Sequence, residues 1–425
     1  MAPVQGMQLT GQAPSSAKTS PQSKSQKVAN PLNDLLDEAQ REIDKNNFEA
    51  AIAPLQKVIA EQPAFAFAHF QLAYVFTALK RPGDARAEYE RTLAIEPKMS
   101  GAHLNLGILL LDTDASAALT PLGKAVELLP SQSRPRFLLG VAEERTGSLA
   151  KAAECFESAV RLDPRDVETL LHLGNLYLQL ERPGDAEAKF RSSLELQANE
   201  PRALSGLARS LDAQKKPEAA DAYGKYLAVQ PSDAATRARL IRLLMDAQQY
   251  DSALVQLDLA NSGKVSLESL KLRADIQIAQ KKWDDSIVTL RQAIVLAPDD
   301  AQLHGGLGRV LLQMRDFPSA ERELRIAVRL EGKNLAYWKD LSSTFFLGGN
   351  YPAALATLEE VAKVEQPGPG VWFIRAICYD KLNQPKPALE AYQKFLDLEQ
   401  DKNSDQFWQA QQRSKALRRM LERKR

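Results

Sequence analysis

The sequence is poor in the residues that build metal centres and disulfide frameworks. It contains two cysteines, Cys155 and Cys378, and four histidines in 425 residues. Two cysteines so far apart indicate neither a disulfide framework nor a thiolate metal site. An excess of charge of one sign is also missing, because 55 Lys and Arg residues face 54 Asp and Glu residues. This balance lacks the strongly basic footprint of a dedicated nucleic-acid binder, so we expect no nucleic-acid partner.

Catalytic motifs and membrane segments are missing too. The sequence has no nucleophile elbow, phosphate loop or His-Glu-x-x-His helix, and we therefore expect neither an enzyme nor a bound cofactor. His69, His103 and His304 recur at one position of a repeat, where we expect them to pack inside a helix rather than to bind a metal ion. No apolar run approaches the length of a membrane span.

The first 30 residues lack acidic side chains and contain almost no large apolar ones. They are rich in Ser, Gln, Pro, Thr and Ala, a composition that cannot offset the entropy of ordering, and we predict a disordered arm over residues 1–30. The arm has neither the charged start nor the apolar stretch of a signal peptide. The sequence as written therefore favours the cytoplasm, with the periplasm or export as the alternative if a signal peptide precedes the first written residue.

What the chain does contain is a small residue followed four positions later by a large apolar one, repeated every 33 or 34 residues. The small residues are Ala51, Ala85, Ala118, Ala152, Ala186, Ala219, Ala253, Ser286, Ala320, Ala354 and Ala388. A second row of small residues precedes the first by 11 or 12 positions and is broken only at Ile241. Such regular spacing predicts a repeat array, because each repeat must pack on the next in the same way.

Each period reads as two short helices joined by a turn. Prolines at 63, 97, 130 and 164 mark the ends of second helices, and Pro82-Gly83 and Pro183-Gly184 mark turns within pairs. Asp84 and Asp185 are predicted to cap the second helices that follow those turns. Helices of this length are marginal alone, so neighbouring pairs must stack and share one core.

This repeat resembles the tetratricopeptide repeat in the order of its bulky, small and aromatic residues. Leu170, Leu173-Gly174, Tyr177, Ala186 and Phe190 follow the family pattern, and Trp338 and Trp372 occupy its bulky opening position. The resemblance implies an all-α, right-handed superhelix (an α-solenoid), here of about eleven repeats over residues 31–400 in a bacterial protein. Pentatricopeptide arrays, which bind RNA, have a period one residue longer and fit the spacing less well.

The resemblance also implies that the first helix of each pair lines a concave groove through positions two, five, nine and twelve of the repeat. Repeats two to five then present Phe70, Tyr74, Leu104, Ile108, Phe137, Val141, Leu171, Asn175 and Leu178, which we call the apolar strip. Repeats seven to ten present Arg242, Lys271, Asp275, Arg309 and Lys339. We expect the apolar strip to bind an apolar or amphipathic segment of another protein. The alternative is that its side chains pack between neighbouring first helices.

A different kind of helix ends the chain, over residues 401–425. Asn403 and Gln406 are predicted to form its capping box, and basic residues from Arg413 onwards surround an apolar face. We expect a helix that caps the array, with residues 413–425 as a contact for an acidic partner or an anionic membrane as the alternative.

Three functions fit these patterns. The first is a non-catalytic scaffold that binds a partner protein in the groove. The second is an enzyme whose array recruits substrate, although no segment outside the array is long enough for a catalytic domain. The third is a membrane-peripheral assembly scaffold, related to the cell envelope or to secretion, that uses the basic final helix.

Overall fold

The computed structural model describes residues 31–261 and 265–422, and these residues are helical with no strand. The arm predicted over residues 1–30, the basic residues 423–425 and residues 262–264 lie outside the described residues. The chain divides into two compact units, residues 1–232 and 233–425, which we call the N-terminal and C-terminal units.

The N-terminal unit contains twelve helices in its described part. They are α1 (Pro31–Asp44), α2 (Phe48–Glu61), α3 (Ala66–Ala78), α4 (Pro82–Ile95), α5 (Ser100–Leu111), α6 (Ala115–Leu128), α7 (Ser133–Arg145), α8 (Leu149–Leu162), α9 (Val167–Gln179), α10 (Pro183–Leu196), α11 (Pro201–Ala213) and α12 (Ala219–Val229).

The C-terminal unit contains eleven more helices in its described part. They are α13 (Ala234–Asp246), α14 (Tyr250–Asn261), α15 (Leu267–Ala279), α16 (Trp283–Leu296), α17 (Ala301–Gln313), α18 (Phe317–Leu330), α19 (Leu335–Leu347), α20 (Tyr351–Ala362), α21 (Pro369–Lys381), α22 (Pro385–Leu398) and α23 (Asp405–Glu422).

Within each unit the helices pack in the order of the sequence. Each odd-numbered helix up to α21 pairs with the even-numbered helix that follows it, and the short turn between them makes the pair antiparallel. Second helices also contact the next first helix, and first helices contact each other, as α3 does with α5 and α17 does with α19. Both units are therefore stacks of helix pairs, which confirms the predicted α-solenoid.

The two rows of small residues meet the large apolar residues between helices. Phe190 is fully buried between α9 and α11, and a Cβ atom added to Gly174 or Gly206 would lie 2.8 Å or 2.3 Å from its ring. Gly107 faces Leu122 and Gly140 faces Phe156 in the same way. The small residues therefore leave the space that a large side chain of the same or the preceding repeat fills.

Most turns between the two helices of a pair contain a residue in the left-handed backbone conformation. Eight non-glycine residues, among them Asn46, Lys80 and Glu181, have φ between 55° and 64°, and Gly147 and Gly349 take the same place in their repeats. This conformation ends the first helix, and the second one begins two residues later in each of these pairs except that of Lys215, where α12 begins at Ala219.

The predicted helix caps are wrong in detail. Helices α4 and α10 begin at Pro82 and Pro183, and Asp84 and Asp185 lie inside the first turn, where each forms an ion pair with the arginine three residues earlier. Proline fixes the φ angle required at the first helical position, so the helices begin before the aspartates. At α23 the cap is Ser404 rather than Asn403, because the Phe407 N–H donates to Ser404 Oγ at 3.2 Å.

Candidate functional site

The apolar strip divides between buried and half-buried side chains. Helices α3, α5, α7 and α9 carry its residues. Five are buried, with exposed fractions of at most 8%: Phe70, Leu104, Ile108, Val141 and Leu171. Phe70, for example, lies 6.1 Å from the ring of Tyr89 and also stacks on Phe67. These five side chains fill the space between neighbouring helices.

The rest of the strip is half-buried: Tyr74, Phe137, Asn175 and Leu178. The ring of Tyr74 meets Phe48 edge-on at 6.2 Å. The ring centroid of Phe137 lies 5.7 Å from that of Phe156 and 5.3 Å from that of His172. The accessible part of the strip in the N-terminal unit therefore consists of separate half-buried side chains.

A charged network lies beside Phe137 and joins three first helices. His172 on α9 contacts Glu144 of α7 at 3.3 Å and Glu168 of its own helix at 3.4 Å. Glu168 in turn accepts two hydrogen bonds from Arg202 of α11, at 2.9 and 3.0 Å. Burial disfavours the charged imidazole, but the two carboxylates outweigh it and raise the pKa of His172 to about 9. Sequence reasoning missed this network, although Glu144, Glu168 and Arg202 occupy groove positions of the repeat.

In the C-terminal unit, three of the predicted basic groove residues form ion pairs with a residue further along the chain. Lys271 contacts Asp300 at 2.7 Å, Arg309 contacts Asp340 at 3.0 Å and Lys339 contacts Glu365 at 2.8 Å. Arg242 on α13 is exposed. The structure therefore places most of these cations beside carboxylates that neutralise them.

A cleft of about 550 Å³ lies across the first helices α15, α17 and α19. Its lining combines apolar, amide and charged side chains: Ile278, Trp283, Val310 and Tyr337, then Gln302, Gln313 and Asn334, then Asp275 and Arg309. Asp275, Ile278, Gln302 and Arg309 occupy groove positions that the repeat pattern identifies. Trp283 and Tyr337 do not, and only the packing of successive repeats brings them to the cleft.

The contacts of His69 and His304 and the burial of the two cysteines indicate that these side chains have structural roles. His69 contacts Glu88 through Nδ1 at 2.6 Å and the Pro63 carbonyl through Nε2 at 3.0 Å, and His304 makes the equivalent contacts in its repeat. Burial raises the pKa of both cysteine thiols to about 11, which disfavours thiolate chemistry. Within residues 31–261 and 265–422, no three His, Cys, Asp or Glu side chains are grouped so that they could hold a metal ion.

The final helix α23 buries Phe407, Ala410, Ser414 and Leu417. Arg413 donates two hydrogen bonds to Asp380 of α21, at 2.5 and 2.7 Å. Other residues of the helix, including Trp408, Lys415 and Arg419, are exposed. None of the helices in the described part of the chain is long and apolar enough to cross a membrane.

Known relatives share the repeat. Two family models of the tetratricopeptide repeat match the chain, one over residues 36–102, 113–167, 171–220, 271–330 and 306–370 and the other over residues 371–399. The TPR repeat-containing protein PA4299 of Pseudomonas aeruginosa is 37% identical over 159 residues, which are 37% of this chain and 64% of that protein. The type IV pilus assembly protein PilF of the same organism is 30% identical over 137 residues, which are 32% of this chain and 54% of PilF. The chain thus spans less than two thirds of the length of these relatives.

Two solved structures align with part of the chain. MamA from Desulfovibrio magneticus RS-1 aligns with a TM-score of 0.39 and 22% identity, over 41% of this chain and 98% of its own. YrrB, whose structure is titled a TPR protein with an unusual peptide-binding site, aligns with a TM-score of 0.38 and 22% identity, over 40% of this chain and 89% of its own. Because the family models match more than half of the residues, the chain belongs to the tetratricopeptide repeat family.

Proposed function

We propose that this protein is a non-catalytic scaffold that binds a segment of a partner protein on the concave side formed by its first helices. The observation that supports this most directly is the cleft across α15, α17 and α19. Its apolar side chains can bury apolar groups of a peptide, and the amides of Gln302 and Gln313 can hydrogen-bond to a peptide backbone. The half-buried residues of the apolar strip remain a proposed second contact in the N-terminal unit.

A pair of matched variants tests this function. Ala336 is exposed and lines the cleft at the start of α19, so Ala336→Trp fills the binding space without entering the core. Ala356 is exposed on the second helix α20 of the same repeat, and Ala356→Trp is the control.

The probe is a phage-displayed library of random twelve-residue peptides, panned against the full chain. We expect selected peptides that bind the unchanged protein and Ala356→Trp equally and that lose at least tenfold in affinity for Ala336→Trp. Peptides that ignore the Ala336→Trp change, or no selected peptides at all, would contradict the proposal. Thermal unfolding of both variants verifies that they remain folded.

The relationship to PilF favours one further candidate, a scaffold for an assembly at the cell envelope. In this function the exposed face of α23, with Trp408, Lys415 and Arg419, contacts anionic lipid headgroups. Sedimentation with vesicles of phosphatidylglycerol and phosphatidylcholine tests it. Salt-sensitive binding that disappears on deletion of residues 403–425 would support this candidate, and binding that survives the deletion would contradict it.

A further inference from the structure

On the helices that line the cleft, every Lys and Arg side chain forms an ion pair with another described residue, but not every Asp and Glu side chain does. Helices α15, α17 and α19 carry four basic side chains, and each of the four forms an ion pair: Lys271 with Asp300, Arg273 with Asp258, Arg309 with Asp340, and Lys339 with Glu365. The cations that the sequence places in this part of the groove are therefore already neutralised by the protein itself.

The carboxylates of the same helices differ from the basic side chains, because most of them form no ion pair within residues 31–261 and 265–422. They are Glu268, Asp275 and Asp340, and only Asp340 has an ion-pair partner among the residues that the structure describes. Glu268 lies close enough to Lys271 to interact with its charge, but Lys271 contacts Asp300 directly. With the ion-pair partners included, six carboxylates (Glu268, Asp275, Asp340, Asp300, Asp258 and Glu365) face four cations. Among these ten side chains, the charge that forms no ion pair is therefore negative.

Asp275 is the carboxylate that lines the cleft itself. Asp275 is exposed, but neighbouring side chains partly desolvate its carboxyl group and raise the pKa of that group, and the nearby charge of Lys271 opposes this shift. A partly desolvated carboxylate that forms no ion pair is stabilised by a cation brought into contact with it. The half-buried ring of Trp283 lines the same cleft and offers a face against which an alkyl stem or a cation can pack, whereas Tyr337 is only 5% exposed.

We propose that the cleft recognises a partner segment that carries a lysine or arginine next to an apolar residue, with the cation at Asp275 and the apolar side chain against Ile278 or Trp283. This inference rests on the proposed function and specifies the chemistry of the partner. The cations Lys271, Arg309 and Lys339 do not oppose such a partner, because each already forms an ion pair with a carboxylate.

The test selects peptides from the random library on the full-length protein and on two charge variants, Asp275→Asn and Asp275→Lys. The matched controls are Asp285→Asn and Asp285→Lys, because Asp285 is exposed on the second helix α16 of the same repeat. The unchanged protein and both controls should select peptides enriched in Lys or Arg at one position. Asp275→Asn should lose this enrichment, and Asp275→Lys should favour Asp or Glu there.

A thermodynamic cycle on one selected peptide completes the test. Replacing its basic residue by Met should weaken binding to the unchanged protein about tenfold, and should change binding to Asp275→Asn far less, because the interaction is already gone. Two outcomes would overturn this inference and leave the proposed function standing. In the first, Ala336→Trp blocks the selected peptides but these peptides show no preference for Lys or Arg. In the second, the peptides prefer Lys or Arg and keep that preference on Asp275→Asn. If Ala336→Trp blocks no peptide, the proposed function fails and this inference fails with it.

Discussion

At the scale of single residues, two glycines of the N-terminal unit have opposite expected effects. A Cβ atom at Gly206 would lie 2.3 Å from the Phe190 ring, whereas one at Gly224 in α12 would meet no atom within 4 Å. Gly206→Ala should therefore lower the free energy of unfolding by about 1–3 kcal/mol through overpacking. Gly224→Ala should raise it by about 0.5–1 kcal/mol because the unfolded chain loses freedom. Urea unfolding of both variants gives the comparison, and equal effects would contradict this account of the packing.

The left-handed turn residues give a second prediction at this scale. Glu181 has φ of 56°, a conformation that costs most L-residues about 1–2 kcal/mol and glycine almost nothing. Glu181→Gly should raise the free energy of unfolding by about 0.5–1 kcal/mol. The reverse change, Gly147→Ala at φ of 81°, should lower it. Thermal unfolding measures both, and a Glu181→Gly variant less stable than the parent would show that the turn is not strained.

At the scale of helices, residues of the apolar strip on the same first helix differ in how deeply they are buried. Phe70 is 4% exposed between α3 and its neighbours, while Tyr74 on the next turn is half-buried. Phe70→Ala should lower the free energy of unfolding by about 3–5 kcal/mol, and Tyr74→Ala should cost much less. Urea unfolding separates the two. Similar losses would mean that Tyr74 also belongs to the core, and then only Phe137, Asn175 and Leu178 of the strip could serve as contacts.

The charged network of α7, α9 and α11 predicts a pH dependence. The pKa of His172 is raised from 6.5 to about 9, so its protonated form stabilises the folded state at low and neutral pH. This contribution is complete below about pH 6.5 and is lost as the pH rises through about 9. The unfolding temperature should therefore fall between pH 7 and 9.5, and His172→Gln should reduce that fall. A variant with the same pH profile as the parent would contradict the assigned role of His172.

The sequence was sufficient for features that depend on local spacing. The regular spacing of small and large residues such as Gly174 and Phe190 predicted a repeat array, and in the structure these two residues pack against each other. It was insufficient where the outcome depends on how successive repeats pack. Whether Phe70 or Tyr74 is buried, and whether Trp283 and Tyr337 reach the cleft, follow from the spacing and rotation of neighbouring pairs, which no local pattern specifies. The start of α4 shows a local competition, because Pro82 at the first helical position starts the helix two residues before the predicted cap Asp84.

At the scale of the whole molecule, the net charge of +1 does not show which charged side chains form ion pairs and which do not. Ion pairs such as Arg202 with Glu168 in the N-terminal unit and Arg309 with Asp340 in the C-terminal unit join successive first helices. These charges are used within the repeat array, so neither the net charge nor the positions of the cations in the sequence identify the partner. The residues without an internal partner, such as Asp275, are more informative.

The central claim is that a partner segment lies on the first helices of the C-terminal unit, and site-specific photo-cross-linking tests it most directly. A photoreactive amino acid is placed at Gln302 or Gln313 in the cleft, or at Gln292 or Ala356 on second helices, all four of which are exposed. We predict cross-links from Gln302 and Gln313 to a library-selected peptide and none from Gln292 or Ala356. Cross-links from the second helices alone would contradict the account.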